Sequence, residues 1–151
     1  MDYLTRAIEI AERSARSGGG PFGCVVVTAD GDVFEGRNEV VPASDPTAHA
    51  EIQALRAACA AAGSPDLAGA TVYASAQPCP MCFAALHWAN VSGVVYAAAA
   101  GQAAAAGFDD SAIADIAAGR AEDTIPFVHD PRGNDNAPFE AWEHNPDRVE
   151  Y

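Results

Sequence analysis

Thr71-Val72-Tyr73-Ala74-Ser75-Ala76-Gln77-Pro78-Cys79-Pro80-Met81-Cys82 carries both the architecture and the chemistry of this chain. Its first part, 71–75, is uncharged and apolar and reads as a buried strand. Its last part opens a helix over about 80–90. Pro80 suits the first turn, because the N–H it lacks would be unpaired there anyway. A second strand is expected over 91–96, which makes the segment a β-α-β unit with parallel strands.

Upstream, strands over 22–28 and 33–37 flank Ala29-Asp30-Gly31-Asp32, a turn with glycine where positive φ is needed. That is a hairpin. Before it, Leu4, Ala7, Ile8, Ala11 and Ala15 recur at helical spacing opposite Arg6, Glu9, Arg13 and Arg16, and Gly18-Gly19-Gly20-Pro21 ends the helix. A loop over 42–46 leads to a helix over 47–62, closed by Gly63, and another helix is expected over 110–118 with Gly119 as its stop. The hairpin followed by a crossover implies an α/β fold with a mixed central sheet covered by helices on both faces. Residues 120–151 hold Pro126, Pro131, Pro138 and Pro146 and show little periodicity, so they read as a C-terminal tail on one 1–151 domain.

Half of the 151 residues are apolar and 19% are charged, a globular balance rather than a disordered one. There is no apolar run long enough for a membrane span and no secretory h-region, so a cytoplasmic location is expected. The formal charge is −13, from 21 acids against eight bases. Every base is Arg, and eleven of the acids lie in 109–151. Such a surface repels phosphate backbones, which argues against nucleic acid and tRNA and for a small neutral substrate.

The chemistry lies in two motifs read together. Thr47-Ala48-His49-Ala50-Glu51 offers an imidazole and a carboxylate, and Cys79 and Cys82 offer two thiols 30 and 33 residues after His49. Three protein ligands leave the fourth tetrahedral position of a Zn²⁺ for water. The H-x-E and P-C-x-x-C pair is the signature of zinc nucleobase deaminases, in which the Glu carries protons and is not a ligand. Cys79 and Cys82, three apart, share a helix face, whereas His49 and Glu51, two apart, converge only near a helix end. Two helix N-termini aimed at one metal are therefore expected, and their dipoles favour thiolates. Taken alone, C-x-x-C also fits a redox pair, or a structural zinc with Cys24 or Cys59 as fourth ligand.

At these residues the chain resembles the cytidine-deaminase superfamily, and within it the bacterial zinc-dependent guanine deaminases. The likeness extends over Gly20-Pro21-Phe22-Gly23, Arg37-Asn38, Asp45 to Glu51, Pro78 to Cys82, Trp88, Ala106-Gly107-Phe108-Asp109-Asp110 and Thr124-Ile125-Pro126-Phe127. It implies a three-layer α/β/α fold and hydrolysis of guanine to xanthine and ammonia, with His49, Cys79 and Cys82 on zinc and Glu51 as the proton carrier. It further implies that Phe22, Asn38, Asp110, Trp88 and the terminal Tyr151 contact the purine, without deciding between Asp109 and Asp110. It also implies a homodimer in which the C-terminal tail crosses to the partner's active site. Three departures are Gln77 where many relatives carry Glu, His87 where an aromatic is common, and the four alanines of 103–106.

Overall fold

The computed structural model describes all 151 residues. The first helix, α1 (Tyr3–Arg16), is capped by Asp2, whose carboxylate accepts from the Leu4 and Thr5 N–H groups at 3.1 and 3.2 Å. The hairpin forms as expected from β1 (Gly23–Val27) and β2 (Val33–Arg37), with Gly31 at φ +89° in its turn. Next come a one-turn helix α2 (Val40–Ala43), α3 (Ala50–Ala62) ending on the left-handed Gly63, β3 (Thr71–Ala76) and α4 (Pro80–Trp88). The chain continues through β4 (Gly93–Ala98), α5 (Ala100–Ala105), α6 (Ser111–Ala117) and α7 (Ala137–His144).

The strands form one mixed sheet in the order β2-β1-β3-β4. β1 runs antiparallel to both neighbours, and only the β3-α4-β4 crossover yields a parallel pair. Because strand side chains alternate between faces, β1 serves two cores. Val25 packs with Ala7 and Ile10 of α1 on one face, while Cys24 and Val26 pack with Ala50, Ala54 and Ala58 of α3 and Leu86 of α4 on the other. The architecture is the expected three-layer α/β/α. No helix is long and apolar enough to cross a membrane.

Several expected boundaries move. The helix expected from residue 47 begins at Ala50, because Asp45 holds a turn there: its carboxylate accepts from the Thr47 N–H at 2.8 Å and the Thr47 hydroxyl at 2.7 Å. The last strand starts at Gly93 rather than 91, since Val91 packs against the core beneath α4 and parallel pairing to β3 begins with Thr71 and Gly93. Helices α2 and α5 lie where loop was expected. The tail is not wholly irregular, for it contains α7, yet every residue from 117 to 151 is exposed.

What brings α3 onto the sheet is a missing side chain. Gly36 of β2 faces the first turn of α3, and a Cβ there would overlap the Ala50 carbonyl oxygen and stand 2.6 Å from the Ala54 nitrogen. Those atoms are backbone and cannot swing aside. Gly36→Ala is therefore expected to destabilise the fold by about 2 kcal/mol and lower Tm by roughly 4–8 °C. A thermal melt followed by circular dichroism checks this, and an unchanged Tm would contradict the close contact.

Candidate metal centre

His49 and Cys79 occupy equivalent places in the fold. Each is the residue before a helix, α3 and α4 respectively, with extended backbone (φ −67°, ψ 156° and φ −68°, ψ 169°). Cys82 sits one turn into α4, where its N–H lies 3.5 Å from the Cys79 sulfur. Glu51 is the second residue of α3. The two N-termini meet on one sheet face, as the spacing of the motifs requires.

The His49 Nδ1 atom lies 3.5 Å from the Cys79 Sγ and 3.6 Å from the Cys82 Sγ, and the three ligand atoms all fall within 4.8 Å of one another. A tetrahedral ion with Zn–S of about 2.3 Å and Zn–N of about 2.0–2.1 Å separates its sulfur and nitrogen donors by about 3.6 Å. The donor set and its spacing therefore fit zinc. Cys24 and Cys59 stay outside the cluster, and all four cysteines are free. Cys24 is fully buried in the core, and the Cys59 thiol faces the Pro65 carbonyl. Neither completes a four-residue structural site.

The electrostatics suit a cation. The Cys79 thiol is held down to about 4, first by the Cys82 thiol donating to its sulfur and then by the His49 ring. The same shared proton pushes Cys82 up, helped by burial. A divalent cation displaces that proton and takes both sulfurs as thiolates. Glu51 is 7% exposed, and burial raises its carboxyl above the ordinary value.

These groups open onto a cavity of about 500 Å³. Phe22, Asn38, His49, Glu51, Cys79 and Asp110 line it, so five elements or loops converge there. Phe108 also lines it and meets Phe22 edge-on, with ring centroids 5.0 Å apart at 89°. Cys82 is buried behind this wall. Trp88 and Tyr151 are not part of it. They stack on each other, centroids 6.0 Å apart, and both are largely exposed. Trp88 ends α4, two turns from the cysteines that begin it.

Two further stretches of the wall carried no functional role in the sequence. Gln77, noted only as a departure, accepts from the Ala100 N–H at 3.2 Å and ties β3 to α5 at the cavity edge. Gly18, Gly19 and Gly20 read as a helix stop, Gly20 also as the start of a stretch shared with the deaminases, yet all three line the cavity. Three consecutive glycines before a strand were a sign of close backbone approach.

A model of the cytidine and deoxycytidylate deaminase zinc-binding region matches residues 1–98. The chain belongs to this deaminase family. It is 42% identical to a guanine deaminase of Bacillus subtilis, covering 99% of this chain and 97% of that protein. The crystal structure of guanine deaminase from Bacillus subtilis superposes with a TM-score of 0.93 at 43% identity, covering 99% of this chain and 96% of that one. A structure of guanine deaminase from Nitrosomonas europaea gives a TM-score of 0.67 at 34% identity over 72% of this chain and 63% of that one. More distant deaminases include a tRNA-specific adenosine deaminase of Agrobacterium fabrum, 38% identical over 65% of this chain and 67% of that protein.

Membership in this family makes zinc the cofactor, and the geometry makes a specific claim about stoichiometry. Purified protein is expected to hold one zinc per chain by plasma mass spectrometry. Cys82→Ser should reduce it well below half, while Cys59→Ser, outside the cluster, should retain it. Full zinc in the Cys82→Ser protein would contradict the cluster described here.

Proposed function

We propose that this chain is a zinc-dependent aminohydrolase converting guanine and water to xanthine and ammonia. The observation that carries the reading is a buried carboxylate, Glu51, on the same cavity wall as a three-donor zinc site, in a chain similar over nearly its whole length to a guanine deaminase.

His49, Cys79 and Cys82 hold the metal, with two thiolates and a neutral imidazole balancing its charge. Bound zinc supplies a Lewis acid that lowers the pKa of water from about 15.7 toward about 7. Thiolate donors blunt that effect, which leaves work for a base. Glu51 takes one proton from the water that attacks C2 and passes it to a ring nitrogen. It then takes the second from the new C2 hydroxyl and gives it to the 2-amino nitrogen, so that the C2–N bond breaks and ammonia leaves. Its raised proton affinity suits a group that must both accept and release.

The purine is held by Asn38 and Asp110 beside the Phe22 ring. The carboxylate of Asp109 is engaged with the Ser111 N–H at 2.9 Å and is exposed, whereas Asp110 makes no capping hydrogen bond and is half-buried at the wall. Both line the cavity, and the Asp110 carboxylate, which caps nothing, is the one we propose to accept from N1–H or the 2-amino group.

The proposed assembly is a homodimer in which the tail crosses to the partner. Support comes from apolar side chains left uncovered on both surfaces: Phe83, Trp88, Val95 and Tyr96 about α4 and β4, and Phe127 and Trp142 in the tail. On this reading Trp88 and Tyr151, which miss their own cavity, close the partner's. The acidic surface and free cysteines support a small substrate in a reducing, cytoplasmic setting.

An ammonia-release panel of guanine, guanosine, cytosine, adenine and tRNA is expected to give guanine the highest kcat/KM. A higher value for guanosine or cytosine would overturn the substrate. Glu51→Gln should keep zinc and Tm but lose on the order of 10²–10⁴ in turnover. Unchanged turnover would remove Glu51 from the reaction, and inactivity of the unaltered protein on every ring would favour a binding module.

The tail has its own test. Deleting 148–151 should lower guanine turnover at least tenfold while Tm moves little, as all four residues are exposed. A fully active truncated protein would exclude Tyr151 from any pocket.

A further inference from the structure

Asn38 is 6% exposed and bound on three sides. Its Oδ1 accepts from the Gly20 N–H and the Val40 N–H, each at 3.2 Å. Its main-chain N–H donates to the Phe22 carbonyl at 3.1 Å. Its main-chain carbonyl accepts from the hydroxyl of Ser14, a residue 1% exposed on α1, at 3.2 Å.

These bonds give the carboxamide one orientation. Turned over, its NH2 would face two N–H donors. The Nδ2 group has no partner within the chain and is not sealed from the cavity that Asn38 lines. What the cavity meets at this point is thus a pair of N–H donors and no acceptor.

The carboxamide lies flat against the bare Cα of Gly20. A Cβ there would stand 2.9 Å from both Cγ and Oδ1 of Asn38 and 3.2 Å from Nδ2. Gly20 is not in the left-handed region, so alanine suits its backbone. The atoms in the way end a side chain and can move. One added methyl therefore shifts the Asn38 amide while leaving the fold to stand.

We propose that Gly20 and Ser14 are positioning residues for the reaction, acting through Asn38 to present the cavity with donors only. The site then accepts a ring edge bearing a carbonyl oxygen or bare nitrogen, and an amino group at that edge would leave donors facing donors. The inference rests on Asn38 contacting the purine, as read above.

A double-mutant cycle tests it. In the unaltered background, Gly20→Ala is expected to lower kcat/KM for guanine roughly tenfold, mostly through KM, with zinc content and Tm retained. Ser14→Ala should lower it about threefold, by loosening the backbone beneath the amide. In an Asn38→Ala background neither change should cost more than about twofold, because no carboxamide remains to be displaced. A Gly20→Ala protein within twofold of the unaltered one, or an equal loss in both backgrounds, would overturn the proposal. Should Gly20→Ala lose zinc or melt early, the Ser14→Ala pair decides by the same comparison. If guanine itself is not turned over, the substrate reading fails separately, and the cycle is run on the best ring of the panel.

Discussion

Two helices that begin at the same point in space are the constraint behind this structure. The positive ends of α3 and α4 would repel each other if nothing anionic lay between them. What lies there is an imidazole, two cysteine sulfurs and the Glu51 carboxylate. The helix ends make thiolates affordable in a partly buried site, and a cation bound by those thiolates offsets the burial of Glu51 in turn. Fold and chemistry are thus one arrangement. Remove the convergence, and the donors are three unremarkable side chains from distant parts of the chain.

Close approach is what makes the convergence possible. The core on the α3 face is built largely from alanine, with Ala50, Ala54 and Ala58 all fully buried beneath Gly36 and Cys24. Small side chains set a short distance between helix and sheet, so the start of α3 comes down onto β2 and reaches the start of α4. The same economy recurs at the opposite wall, where the bare Cα of Gly20 lets the Asn38 amide lie at the cavity. Few large side chains are left inside, and many aromatic ones remain outside on α4, β4 and the tail. The proposed dimer is where those surfaces would find cover.

Much of this was legible in the residues. The hairpin, α1 and the Gly31 and Gly63 conformations follow from local periodicity and turn chemistry, which act over a few residues. The zinc donors were legible because metal chemistry permits few residue types at few spacings. The start of α3 was not, since His49 is a poor capping residue and Thr47, a good one, instead closes a turn with Asp45. Helices α2, α5 and α7 are four to eight residues long, too short for a hydrophobic period to show. Spacing could not choose between Asp109 and Asp110 either: both line the cavity, and only the Asp109 carboxylate is tied to the Ser111 N–H. The place of Trp88 and Tyr151 was the least readable, because within one chain they stack on each other outside their own cavity.

X-ray absorption at the zinc edge of the purified protein addresses the central arrangement most directly. The account predicts two sulfur donors at about 2.3 Å and two nitrogen or oxygen donors at about 2.0–2.1 Å, one of the latter exchangeable with solvent. Three or four sulfur donors, which would require Cys24 or Cys59 to reach the metal, or a fourth donor that never exchanges, would contradict it.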